Sequence, residues 1–112
     1  MSDVRLPAKA LSAFATSLFV AAGMDRDKAE IVADLLLLTD RMGRRTHGLA
    51  MANLYLAEIE KGTMTVTGDA EIVSAKGAAQ VWDGNYLPGL WLMKKAIDAA
   101  IPVAKNLGVC TI

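Results

Sequence analysis

The sequence predicts an α/β fold, mostly helical in this chain: a three-helix N-terminal subdomain, then a β-hairpin, a fourth helix and the start of a further strand. Three observations lead there. Apolar residues recur at helical spacing over residues 7–61. Beyond them the period changes to short apolar runs bounded by glycine and turn residues. Residues Val109-Cys110-Thr111-Ile112 then open a buried-strand pattern at the end of the sequence. The expected division is a helical subdomain over 1–62 and the first part of an incomplete α/β domain over 63–112.

Each element has its own signals. Residues 7–22 place Leu11, Phe14, Leu18 and Ala22 on one stripe with Ala15 and Phe19 beside it. Pro7 suits the first helical position and Gly23 the residue past the end. Asp25 reads as the N-cap of a second helix reaching about Met42, with Asp27 and Glu30 near its positive end. Ile31, Val32 and Leu35 to Leu38 cover nearly all sides of that helix, so it is expected to be sandwiched. After Gly43 and a polar link, a third helix is expected from near His47 to Lys61, stopped by Gly62.

The stretch from Thr63 to Asp69 reads as a linker or irregular strand. Glu71–Ala75 and Ala79–Trp82 form a hairpin pattern around Lys76-Gly77, and Asp83-Gly84-Asn85 is a turn. From Pro88 a fourth helix carries Leu90, Met93, Ile97 and Ile101, with Pro102 inside it and Asn106-Leu107-Gly108 at its end.

Composition narrows the function classes. Twelve basic and twelve acidic residues balance, and no basic cluster exceeds Arg44-Arg45, which argues against nucleic acid. One cysteine and one histidine exclude an internal disulfide and leave too few ligands for a structural zinc site. No apolar run approaches the roughly 20 residues of a membrane span. Asp3, Arg5 and Lys9 do not read as a signal peptide, so a cytoplasmic location is expected. Hydrophobic residues reach 54%, and nine glycines bring the apolar-plus-glycine share to about 62%, above the 45–50% of ordinary domains. Some of that apolar surface is expected to meet a partner.

The densest polar cluster is Asp40-Arg41-Met42-Gly43-Arg44-Arg45-Thr46-His47-Gly48. A helix start near His47 would surround the imidazole with free N–H groups that attract an anion, and would favour its neutral form. Such a histidine exchanges a proton with a substrate oxygen while Arg44 and Arg45 hold a carboxylate. The same residues also suit plainer roles: His47 at the surface or a helix cap, Thr46 as an N-cap, and the arginines solvated or weakly paired to Asp40.

That cluster, followed by Leu54-Tyr55-Leu56-Ala57-Glu58-Ile59-Glu60-Lys61-Gly62, resembles the N-terminal signature of the malate/L-lactate dehydrogenase family. Gln80-Val81-Trp82-Asp83-Gly84-Asn85, Pro88-Gly89, Met93-Lys94-Lys95-Ala96-Ile97 and Gly108-Val109 are similar to the family's later elements in order and spacing. The resemblance implies a nicotinamide-dependent oxidoreductase, without a Rossmann domain, that acts on a small 2-hydroxy or 2-keto acid. It implies His47 as proton donor and acceptor, Thr46 as a substrate-orienting hydroxyl and Tyr55 as a substrate-side residue. Met51 stands where members usually carry an arginine, so Arg44 or Arg45 substitutes, or the substrate lacks that carboxylate contact, or the chain is diverged. The resemblance further implies that NAD or NADP is bound mainly by segments beyond this chain. This chain, an N-terminal portion, is then catalytically incomplete alone and partners the rest of the enzyme and a second subunit as a homodimer. The apolar second helix and Met51 support one alternative, a non-catalytic truncated homologue serving as a dimerisation or interaction module.

Overall fold

The computed structural model describes residues 4–112, and Asp3 lies outside them. Helix α1 (Ala8–Ala21) starts directly after Pro7, which stays extended outside the helix rather than forming its first residue. Its C=O still accepts the Leu11 N–H at 3.1 Å. The face of α1 differs from the expected stripe. Ala15, Thr16 and Phe19 are buried, while Phe14 is 60% exposed. The reason is closeness: small side chains at 15 and 16 let α1 approach the next helix, and hydropathy alone does not rank that.

Helix α2 (Arg26–Arg41) buries Lys28, Ala29, Val32, Ala33, Leu36 and Leu37. It packs against α1 on one side and on the other against the last helix and the turns that follow α2. The sandwich is open at Leu38, which is 48% exposed. Asp25 occupies the N-cap position, but its side chain makes no cap bond. Its carboxylate instead accepts from Lys28 Nζ at 3.1 Å and from the Gly68 N–H at 3.1 Å. A partner 43 residues away cannot be read from local sequence.

The third helix is shorter than expected. Two 3-10 turns, Arg45–His47 and Leu49–Met51, precede α3 (Ala52–Lys61), which ends at Gly62. Residues 63–70 form no strand, yet backbone bonds pin them: Asp25 N–H to Val66 O at 2.9 Å and Thr65 N–H to Tyr86 O at 2.9 Å.

Strands β1 (Glu71–Lys76) and β2 (Ala79–Asp83) pair antiparallel around Gly77-Ala78, with Val73 bulged out between Ile72 and Ser74. The loop therefore sits one residue later than expected. The next turn closes with Asn85 N–H on Asp83 Oδ1 at 2.9 Å and Leu87 N–H on Gly84 O at 2.9 Å. Helix α4 (Gly89–Leu107) runs unbroken through Pro102.

The last residues do not form a buried strand. Val109 is 60% exposed and Ile112 37%. Thr111 makes a parallel bridge to Ala79, its C=O accepting the Gln80 N–H at 2.8 Å and its N–H donating to Ala78 O at 2.7 Å. Strand β2 is thus paired along both edges.

One core joins these elements. Phe19, Met24, Ala29, Val32, Leu36 and Ala52 meet Leu87, just before α4, and Trp91 in its first turn. Trp91 packs in that core, and the Lys28 and Lys95 ammonium groups lie 4.2 and 4.7 Å from its ring centroid. Much of the apolar excess sits outside the core, on the hairpin (Ile72, Val73, Val81) and on the outer face of α4 (Met93, Ile97, Ile101).

The two phenylalanines of α1 separate the expected from the observed face. Phe19→Ala empties a fully buried site and should cost about 3–5 kcal/mol, whereas Phe14→Ala should stay within about 0.5 kcal/mol. Urea denaturation of the two variants checks the contrast.

Candidate active site

The polar cluster is shaped by how α2 ends. Gly43 adopts φ +80°, a left-handed conformation that costs glycine little, and it reverses the chain. The Gly43 N–H donates to Asp40 O at 2.9 Å and the Arg44 N–H to Thr39 O at 3.1 Å, the paired bonds of a Schellman end. The returning chain forms the Arg45–His47 turn, with the His47 N–H on Arg44 O at 3.1 Å. Two residues on, the Leu49 N–H donates to Asp40 Oδ2 at 2.8 Å. Gly48 is buried beneath this bond, and a Cβ there would overlap the Asp40 carboxylate.

Thr46 and His47 are brought together on the exposed side of the turn. Thr46 Oγ1 lies 2.9 Å from His47 Nδ1, and His47 Nε2 has no hydrogen-bond partner among the described residues. Thr46 is therefore not an N-cap; its hydroxyl is turned to the imidazole. The expected helix start at His47 is also absent, because α3 begins only at Ala52. The His47, Gly48 and Leu49 N–H groups donate to Arg44 O, Arg45 O and Asp40 Oδ2 in turn.

The other sequence candidates are spread around this pair. Arg44 and Arg45 are exposed on either side of the start of the turn. Met51 is half-buried and packs on the core. Tyr55, on α3, packs its ring on Phe19 with centroids 6.3 Å apart, and burial raises its phenol above the ordinary tyrosine range. Asp40 was expected to open the family-like stretch and to pair weakly with the arginines. Its actual task left one sequence signal, an acid in the last turn of a helix, where the dipole disfavours it.

A cleft of about 550 Å³ between α1 and α2 sets Lys9 and Arg26 against Glu30 and Asp34 and contains neither Thr46 nor His47. Such balanced charge does not select a pyrophosphate. Among the described residues no helix is long and apolar enough to cross a membrane.

Comparison with known proteins follows the same geometry. The family model for malate/L-lactate dehydrogenase matches residues 6–112. The chain belongs to this family. It is 33% identical over 89 residues to a malate/(S)-sulfolactate dehydrogenase of Methanothermus fervidus, covering 80% of this chain and 26% of that protein. It is 28% identical over 111 residues to hydroxycarboxylate dehydrogenase B of Escherichia coli O157:H7, covering 99% of this chain and 31% of that protein. Malate dehydrogenase from Pyrococcus horikoshii superposes with a TM-score of 0.89 at 25% identity, over 94% of this chain and 30% of that one. The chain thus spans about a quarter to a third of the length of these family members.

Tyr55 makes the site's surroundings testable by pH. Its folded-state pKa is raised, so its contribution to stability is complete below the ordinary tyrosine pKa of about 10 and is lost as pH rises through the folded value. Tyr55→Phe should therefore weaken the alkaline loss of stability, read as the unfolding midpoint between about pH 9 and 11.

Proposed function

We propose that the chain serves an oxidoreductase interconverting a 2-hydroxy acid and its 2-keto acid with NAD or NADP, in which His47 exchanges the proton of the substrate oxygen. One observation carries the reading: an exposed imidazole whose Nδ1 is held by the Thr46 hydroxyl at 2.9 Å, with Nε2 left for a ligand. The names of the relatives support the substrate class, since malate and sulfolactate are both hydroxy acids. The nicotinamide supplies the two-electron chemistry when bound, and no residue of this chain is assigned to holding it.

A threonine hydroxyl suits a reversible proton exchange because its oxygen accepts the Nδ1–H of both the imidazolium and the neutral ring. In the reducing direction the imidazolium, its Nδ1–H donating to Thr46 Oγ1, gives its Nε2 proton to the keto oxygen and becomes the neutral ring. With Nδ1–H donating to Thr46 Oγ1, Nε2 accepts the proton of the hydroxy acid. Arg44 and Arg45 are proposed to hold the substrate carboxylate, because Met51 is a packing residue without charge. Tyr55 is proposed as a substrate-side donor, since a tyrosine phenol carries its proton at neutral pH.

Two substitutions in the enzyme that carries this segment test the assignment, with turnover followed by nicotinamide absorbance. His47→Ala should lower kcat about 10²–10⁴-fold with little change in thermal stability, because the side chain is exposed. Arg44→Ala should raise KM about tenfold or more, as expected for loss of a charge-assisted hydrogen bond, and change kcat less. Undiminished turnover by His47→Ala would remove the histidine from the mechanism.

A further inference from the structure

We propose that Asp40 is a positioning residue for His47, acting through the Leu49 N–H and the bare backbone of Gly48. The proposal rests on the reading of His47 as the proton-exchanging group. The turn that carries Thr46 and His47 is five residues from one anchor to the other, and both anchors lie in the last turn of α2. At its entry the Arg44 N–H is held by Thr39 O at 3.1 Å. At its exit the Leu49 N–H is held by Asp40 Oδ2 at 2.8 Å. The entry anchor is backbone alone and survives most substitutions. The exit anchor depends on one carboxylate, so Asp40 is the side chain that closes the loop.

Two further features agree. Asp40 lies in the last turn of α2, where the helix dipole disfavours an acid, so helix stability does not account for its presence. Gly48 has φ −92° and ψ −145°. No side chain fits there, because the Asp40 carboxylate occupies the place of a Cβ. Acid and glycine fit each other, and the residue before that glycine is His47. Freed from the exit anchor, the imidazole would keep its contact with Thr46, which travels with it, but lose its bearing on the rest of the enzyme.

The test uses the intact enzyme that carries this segment, with kcat, KM and thermal unfolding measured for Asp40→Ala, Asp40→Asn and Gly48→Ala. Asp40→Ala should lower kcat about 10²-fold, the effect of misplacing a reacting group by about 1 Å. KM should move less than about threefold. Asp40→Asn keeps a carbonyl oxygen for the Leu49 N–H and should recover kcat to within about threefold of the native value. In a His47→Ala background, Asp40→Ala should cost nothing further, because the two act as one unit. Equal losses in Asp40→Ala and Asp40→Asn, or a loss that persists in the His47→Ala background, overturn the proposal. Native kcat in Asp40→Ala beside a crippled His47→Ala also overturns it while the His47 reading stands; native kcat in His47→Ala overturns both. Should Asp40→Ala fail to fold, Gly48→Ala carries the same test, since its methyl displaces the carboxylate without removing it.

Discussion

The fold depends on the second helix and on the carboxylate at each of its ends. Asp25 accepts the Gly68 N–H and Asp40 accepts the Leu49 N–H, so two segments without regular structure are tied to one rigid rod. Between those ties the helix buries Ala29, Val32, Ala33, Leu36 and Leu37. Full burial of each larger aliphatic side chain contributes about 1.5–3 kcal/mol. The rod also holds a charge out of water. Lys28 is 3% exposed, bonded to Asp25 at 3.1 Å and lying over the Trp91 ring, which links the start of α2 to the start of α4. A buried ammonium with such partners fixes geometry more than it adds stability, because desolvation offsets most of the attraction.

The same arrangement separates rigid from reactive parts at the candidate site. Backbone around residues 43–49 is held by bonds to the last turn of α2, while the Thr46 and His47 side chains face solvent. A reactive group needs a fixed origin and a free tip, and a reversing turn on a helix end supplies both. Farther along the chain, electrostatics plays only a fastening part. Lys95 bonds Asp69, and that hydrogen bond, with the Ala70 N–H, holds the Asp69 carboxyl below its ordinary range. The pair is exposed, so its contribution to stability is small.

Much of this was legible in the residues. The order of helices and strands follows from the change of period near Gly62, and the pairing of Thr46 with His47 follows from their adjacency. The family resemblance of the Asp40–Gly48 stretch was equally visible, since motif order and spacing are properties of sequence. The errors share one cause. A helix start was read near His47, after Gly43 and the polar link Arg44-Arg45-Thr46, yet the Leu49 N–H is bonded to Asp40 and α3 begins only at Ala52. The buried face of α1 was centred on Leu11, Phe14, Leu18 and Ala22 with Ala15 and Phe19 beside them, yet packing buries Ala15, Thr16 and Phe19.

The sequence by itself determined the element order, the family and the identity of the residues around the one histidine. Tertiary structure decided which polar groups meet: Asp25 with Gly68, Asp40 with Leu49, Lys28 with Trp91 and Thr111 with the edge of β2. The physical reason is range. Periodicity and capping act within a turn or two of chain, whereas a buried hydrogen bond needs only closeness in space. Asp40 and Leu49 are nine residues apart in the chain and 2.8 Å apart in the fold.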